Sequence, residues 1–191
     1  EAKLGEATDI IAECLMQNFK CVLIGNRRAW CAKALDSVKS KCNKTLWDRT
    51  WAEIATGEIS AQDRVALARE YMAQPGPALL VGTIDALGES IDLQDTDVSV
   101  LTQLPYTSGQ LIQLVRRFSR PGQTRPHTCY AMIAEGTVDE EIERLVLNKF
   151  EAIDAVGATS EGLTGEILRQ TEEQEVQQLQ DWLKENADVE D

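Results

Sequence analysis

Histidine is nearly absent from this sequence, and its scarcity removes several kinds of chemistry at once. One histidine, His127, is present, and the five cysteines (Cys14, Cys21, Cys31, Cys42 and Cys129) form no CxxC pair. A metal site built from clustered Cys and His is therefore not expected, and no metal ligand is assigned. Cysteines scattered in this way read as reduced, mostly buried residues of an intracellular protein, cytoplasmic or nuclear. No run of eighteen apolar residues occurs, so no membrane partner is expected. The first residues, EAKLGEATDII, have neither a basic leader nor the apolar core of a secretion signal.

Positive charge is also scarce, with 19 Lys and Arg against 32 Asp and Glu, a net charge of −13. The imbalance is uneven. Residues 161–191 hold ten acidic and two basic side chains, a net of −8, and the other 160 residues have a net of −5. Such a balance argues against a strongly electrostatic, non-specific nucleic-acid binder built from this chain alone. It leaves room for a local basic face.

What is there reads as short apolar strands alternating with amphipathic helices. KCVLIG (20–25), WAEIATG (51–57), ALLVGT (78–83), DVSVLTQL (97–104) and HTCYAMIA (127–134) have the length and apolar character of strands. Between them lie helical patterns over 4–19, 28–42, 60–72, 108–119 and 137–156, with Ser60 and Ser108 as expected N-caps. The alternation predicts parallel βαβ units in an α/β fold with a mainly parallel sheet between helical layers. Ligands of such sheets bind at the carboxyl ends of the strands. The loops of interest are therefore 25–28, 57–59, 82–93 and 104–109. The spacing divides the chain into a domain over 1–157 and an acidic C-terminal helix and tail over 158–191.

One segment stands against the overall charge. QLIQLVRRFSRPGQTRP (110–126) carries four arginines. On a helical wheel Leu111, Leu114, Val115 and Phe118 share one side, and Gln113, Arg116, Arg117 and Arg120 the other. Pro121 biases Arg120 out of helical geometry, into the terminating turn. Arginines on an exposed helix face are commonly solvated. They also match phosphate oxygens bidentately, so the face has a second reading as a phosphate-directed surface.

The residues from Gln113 through Arg117 and Arg120 to Gly122-Gln123 resemble motif VI of the superfamily-two helicases and translocases, in the form found in Swi/Snf-type ATPases. LLVGTIDALGESIDL (79–93) resembles motif V, CVLIGNRRAWCAKAL (21–35) motif IV, TGEISAQDR (56–64) the second-lobe Gly-Ser-Arg segment, and EGTVDEEIERLVLNKF (135–150) the helix that follows motif VI. The matches run in family order over about residues 15–155. Departures mark a divergent member, with an annealing-helicase-like or viral placement in view. Tyr106-Thr107-Ser108 replaces Trp-Asn-Pro, Asp92 replaces Asn, and Pro121 replaces Ile.

The resemblance implies a RecA-like three-layer fold and the second, C-terminal lobe of an ATP-dependent DNA translocase or helicase. The family's first lobe carries a Walker A loop, and no GxxxxGK[ST] occurs here. ATP and Mg2+ are thus expected to be held mainly by a first-lobe partner, with this chain inactive by itself. The resemblance further implies arginine fingers at Arg117 and Arg120, coupling through Gln113, and nucleotide contact or coupling at Gly88 and Asp92. A backbone grip on DNA, double-stranded or branched, falls to Asn26, Arg27, Arg28, Arg64 and Thr83. Thr83 has a plain alternative as a helix cap, and Arg64 as a partner of Asp63 or Glu58. Trp47 and Trp51 are expected in packing before base stacking. Two other readings stay open: a non-catalytic nucleic-acid- or partner-binding module of the same fold, and an RNA helicase lobe.

Overall fold

The strand KCVLIG is apolar on both faces and buried along its whole length, as a central strand between two helical layers must be. It is β1 (Lys20–Gly25). In chain order the computed structural model adds α1 (Ala2–Met16) before it, then α2 (Arg28–Lys41), α3 (Lys44–Arg49), β2 (Trp51–Ala55), α4 (Ala61–Ala73), β3 (Ala78–Thr83), α5 (Ile84–Gly88), β4 (Val98–Leu101), α6 (Ser108–Phe118), β5 (Thr128–Ala131) and α7 (Val138–Ala155). It describes residues 2–88, 91–118, 125–155, 174, 176–181 and 184, without the side chains of 2 and 147–155. The strands form a sheet of order β2-β3-β1-β4-β5 in which every pairing is parallel. Gly25 lies opposite Thr83, so the loops after β1 and β3 leave the sheet side by side.

The predicted α/β class with a parallel sheet is the observed one. α3 and α5 are additions: each is a single short helix, below the length at which periodicity can be read. Asn43 caps α3 by accepting from the Leu46 amide at 2.8 Å. Ser60 caps α4 as expected, accepting from the Asp63 amide. The expected cap of α6 moves by one residue. Thr107 Oγ1 accepts from the Gln110 amide at 3.3 Å, and Ser108 is already helical and buried. Two adjacent hydroxyl residues each meet the capping preference, and the first takes the role. Cys14, Cys21 and Cys31 are buried as expected, whereas Cys129 is exposed on β5 at the sheet edge.

The chain divides into two compact units: residues 1–103 with 114–133, and residues 104–113 with 134–191. The first holds the sheet. Cys21, Leu23, Leu79, Val81, Val98 and Val100 meet α1, α2 and Leu46 in one apolar cluster. Their strand neighbours point to the other face, where α4 packs on β2 and β3. The second unit holds the long helix α7. Asp139 in its first turn accepts from the Ala134 amide at 3.1 Å, and Gly136 adopts φ 70°, the left-handed turn that glycine takes without strain.

Polar groups bind the amino end of the sheet. Lys20 is buried, yet it donates to the Met72 carbonyl at 2.5 Å and pairs with Asp95. Its amide donates to Asp97, which also pairs with Arg125 at 2.7 Å. A buried cation so satisfied avoids the penalty of an unpaired one. Tyr71, fully buried, shares a hydrogen bond of 3.1 Å with Thr96.

At the opposite end, β3 meets α5 too closely for a side chain. A Cβ at Gly82 would lie 2.7 Å from the Leu87 side chain and 2.8 Å from the Ala55 carbonyl oxygen. The carbonyl belongs to a paired strand and has little room to move. Gly82→Ala is therefore expected to destabilise the chain by about 1–3 kcal/mol through overpacking. Gly57→Ala, with nothing within 4 Å of the new methyl, is the control expected near neutral. Urea unfolding of both variants checks this, and equal midpoints would refute the tight contact.

Candidate functional site

The candidate residues fall in two places: the loops after β1, β2 and β3, and a cavity between α4, the segment 91–93 and the end of α6. Gly82 lets Leu87 lie on the strand, which fixes the single turn of α5. Thr83, the last residue of β3, is buried, and its hydroxyl accepts from the Ala86 amide at 3.4 Å. The cap role thus occupies Thr83. Gly88 then ends α5 with its carbonyl directed to the end of α6. Arg117 Nε donates to that carbonyl at 3.3 Å, and the Arg117 carbonyl accepts from the Leu93 amide at 3.0 Å. Arg117 is thereby tied, by side chain and backbone, to both ends of the segment that contains Asp92.

Asp92 and Arg117 face one cavity of about 370 Å³, lined also by Val65, Ala68, Arg69, Met72 and Ile91. The structure thus brings together three of the expected nucleotide-side positions, Gly88, Asp92 and Arg117. Arg69 is an addition, a second guanidinium at the same cavity. Only its place four residues after Val65 on α4 hinted at this, and an exposed helical arginine is not distinguishable from a solvated one by pattern. Two guanidiniums, one carboxylate and an apolar wall suit a ligand with phosphate oxygens and hydroxyls. Among the described residues no cluster of His, Cys, Asp and Glu could hold a metal ion.

The wheel drawn for α6 holds for its core side and shifts on its outer side. Leu111, Leu114 and Phe118 are buried, Ile112 joins them, and Val115 is half-buried. Gln113 and Arg116 are exposed, as expected. Arg117 is half-buried, because its link to Gly88 draws it in from solvent. Arg120 and Gln123 lie outside the described residues.

Asn26, Arg27 and Arg28 are exposed in the loop after β1. Trp30 packs across Gly25 so closely that a Cβ there would enter its ring, which seats the first turn of α2 over the strand end. Arg28 pairs with Glu58 from the loop after β2. Arg64 pairs with neither Asp63 nor Glu58. Its Nη1 donates to the Ile59 carbonyl at 3.1 Å, while Asp63 accepts from the Ser60 hydroxyl at 2.7 Å. The Arg64 Nε is buried with no hydrogen-bond partner among the described residues. Trp51 packs on Tyr71 with ring centroids 5.9 Å apart, and Trp47 packs against the core, so both serve packing.

His127 lies behind α6. Its ring stacks on Phe118 with centroids 5.1 Å apart, and its Nε2 is 3.0 Å from the Ser99 hydroxyl. Burial pushes its pKa down to about 4, because the charged ring would lose its water. The unfolded chain takes up this proton near pH 6.5, and the fold resists it down to about 4. The stability His127 supports is full above pH 6.5 and is lost as pH falls towards 4, by up to about 3 kcal/mol. His127→Gln is expected to remove that portion of the slope. Urea unfolding of both proteins between pH 8 and 5 checks it, and parallel profiles would refute it.

No protein-family model matches the chain. Curated proteins do. A SWI/SNF-related matrix-associated actin-dependent regulator of chromatin subfamily A-like protein 1 from Xenopus tropicalis is 27% identical over 101 residues, 53% of this chain and 11% of that protein. The chromatin-remodeling ATPase INO80 of Mycosarcoma maydis is 30% identical over 103 residues, 54% of this chain and 5% of that protein. The chain thus matches about a tenth or less of these relatives' length. Among solved structures, the C-terminal part of the Fun30 ATPase domain superposes with TM-score 0.57 at 15% identity, covering 91% of this chain and 53% of that one. The Pyrococcus furiosus Hef helicase domain gives 0.53 at 24% identity, over 74% of this chain and 28% of that one. By sequence the chain is thus similar to Swi/Snf-type ATPases, and by fold it has the RecA-like α/β architecture of these helicase and ATPase domains.

Proposed function

We propose that this chain is the second motor lobe of an ATP-dependent DNA translocase or helicase, with residues 1–157 as the lobe and 158–191 as an acidic appendage. The observation that carries the reading is the anchorage of Arg117. Its guanidinium hangs from the Gly88 carbonyl at the cavity that Asp92 also faces. A finger must be held in place by groups other than the phosphate it will meet, and one carbonyl bond to Nε leaves the terminal nitrogens for an anion.

ATP with Mg2+, held mainly by a first lobe, supplies the phosphoryl group to be transferred. This chain's part is positional and electrostatic. Arg117 and Arg120 bring positive charge to the γ-phosphate across the cleft between lobes, and Gln113 couples nucleotide state to closure. Gly88 holds Arg117, and Asp92 contacts the nucleotide or couples the lobes. Closure and release then follow binding and hydrolysis. Asn26, Arg27, Arg28 and Arg64 grip the DNA backbone without reading bases, and Thr83 shapes that loop as the cap of α5. Because the chain has no Walker A sequence, it is inactive alone. Such a motor works inside the cell, in the cytoplasm or the nucleus depending on the organism, a reading that the chromatin-related names of its relatives support.

The test is DNA-stimulated ATP turnover of a polypeptide joining this lobe to its first lobe. Arg117→Ala and Arg120→Ala are each expected to lower kcat about a thousand-fold or more with ATP binding kept, and Arg116→Ala to stay within a few-fold. Wild-type turnover in all three variants would make the chain a non-catalytic binding module. Stimulation by RNA in place of DNA would make it an RNA helicase lobe.

A further inference from the structure

Besides 110–126, a second stretch of this acidic protein gathers basic residues. Residues 27–49 hold seven basic and two acidic side chains, a net of +5 within a chain of net −13. They make up the loop after β1, the outward side of α2, and α3. Arg28 pairs with Glu58, and Lys41 with Asp9. Arg27, Lys39, Lys44 and Arg49 are exposed and have no carboxylate partner among the described residues.

That pattern is unusual for a solvated face. With 32 carboxylates available, an exposed helix of this chain would ordinarily interleave the two signs. Here Asp36 and Asp48 are outnumbered by seven cations, and a polyanion offsets the remaining excess. Its shape follows from the helix. α2 has 14 residues, so it extends about 21 Å at 1.5 Å per residue. One DNA strand presents a phosphate about every 3.4 Å along the axis, so the ridge spans about six of them.

The side chains suit phosphates and not bases. Lysine is a mobile point charge with no planar fork for a base edge. Both aromatic rings of the segment are engaged: Trp30 packs across Gly25, and Trp47 packs against the core with the Lys39 ammonium 5.8 Å from its centroid. A stacking platform for single strands is therefore not offered.

We propose that the α2–α3 ridge is a second phosphate-contact surface for duplex DNA, continuous with the Arg27-Arg28 loop and running from the carboxyl to the amino end of the sheet. It rests on the reading of this lobe as a DNA motor part, and it adds Lys39, Lys44 and Arg49 to the grip. These residues lie outside every motif that identified the lobe. They contribute affinity that is independent of base sequence and depends steeply on salt.

The test uses the 191-residue chain and a labelled 30-base-pair duplex, with anisotropy titrations in 50–200 mM KCl. The triple variant K39Q/K44Q/R49Q keeps side-chain length and removes charge. It is expected to bind at least tenfold more weakly than wild type at 100 mM KCl, equally for two unrelated sequences. Each lost contact lowers the slope of log affinity against log salt by about 0.9, so the slope falls by about 2–3. Arg144→Gln, one charge removed on α7, is the control expected to bind like wild type. Thermal unfolding of each variant verifies the fold. Wild-type affinity and slope in the triple variant, with R27A/R28A weakened, would overturn the ridge and leave the grip loop standing. No salt-dependent duplex binding by wild type would overturn the DNA reading itself. Loss of binding to a poly-glutamate peptide but not to duplex would give the ridge to an acidic protein partner.

Discussion

The contact on which the site depends is the approach of Leu87 to Gly82. It is possible only because Gly82 has no side chain. The missing Cβ lets α5 turn back against β3 within a few residues of leaving the sheet. The turn delivers the Gly88 carbonyl to the Nε of Arg117, and the Leu93 amide to the carbonyl of the same residue. A side chain at the end of α6 is thus located by the central sheet through one glycine, one leucine and two hydrogen bonds. Each net hydrogen bond is worth only about 1 kcal/mol. Their value lies in geometry, since an arginine free to rotate would lose most of its rotamer entropy on meeting an anion.

The two ends of the sheet treat charge in opposite ways. At the amino end, Lys20 and Asp97 are buried and fully engaged, with Asp95, Arg125 and backbone groups as partners. Ions held so are locked, because removing one partner leaves the other uncompensated in a low dielectric. At the carboxyl end, Arg27 and Arg28 lie in solvent, where pairs are weak and exchangeable. The division matches the general rule that open parallel sheets use their carboxyl ends for ligands. Here it has a visible cause. The strands end in Gly25 and Gly82-Thr83, which admit tight packing of Trp30 and Leu87 and leave polar loops outside.

Much of this was legible in the sequence. All five strands and every helix longer than six residues were marked by apolar patterning; β1, β3 and β4 are buried on both faces, and the edge strands β2 and β5 keep enough apolar residues to be read although they are half-buried or exposed. Gly88, Asp92 and Arg117 could be singled out, but not their meeting, since the hydrogen bonds among 88, 93 and 117 join segments far apart in the chain. Short helices were lost because one turn has no period to detect, as at α3 and α5. The cap of α6 slipped from Ser108 to Thr107 because both satisfy the same local preference. Arg69 was invisible because lining a cavity is a tertiary fact. For Arg64 it is the plain alternative, pairing with Asp63 or Glu58, that fails. Its nearest acids were plausible partners by spacing, yet Ser60 and Arg28 had taken them.

The Arg28–Glu58 pair bears on how such a lobe would release what it grips. A motor that steps along a backbone has to leave each phosphate as readily as it meets it. Affinity built from many unpaired cations would oppose departure, because each broken contact must recondense counterions. A carboxylate beside the cation changes that balance. Under the proposed grip, Arg28 on leaving a phosphate would return to Glu58, and part of the electrostatic energy would be recovered inside the protein. The exchange is nearly neutral, since exposed pairs are worth about 0–1 kcal/mol. The same logic extends to the chain's net charge of −13. Surrounding carboxylates lower the local potential at the basic surface, and in the proposed motor they would shorten contact with duplex, so that directional binding would come from lobe closure rather than from charge alone.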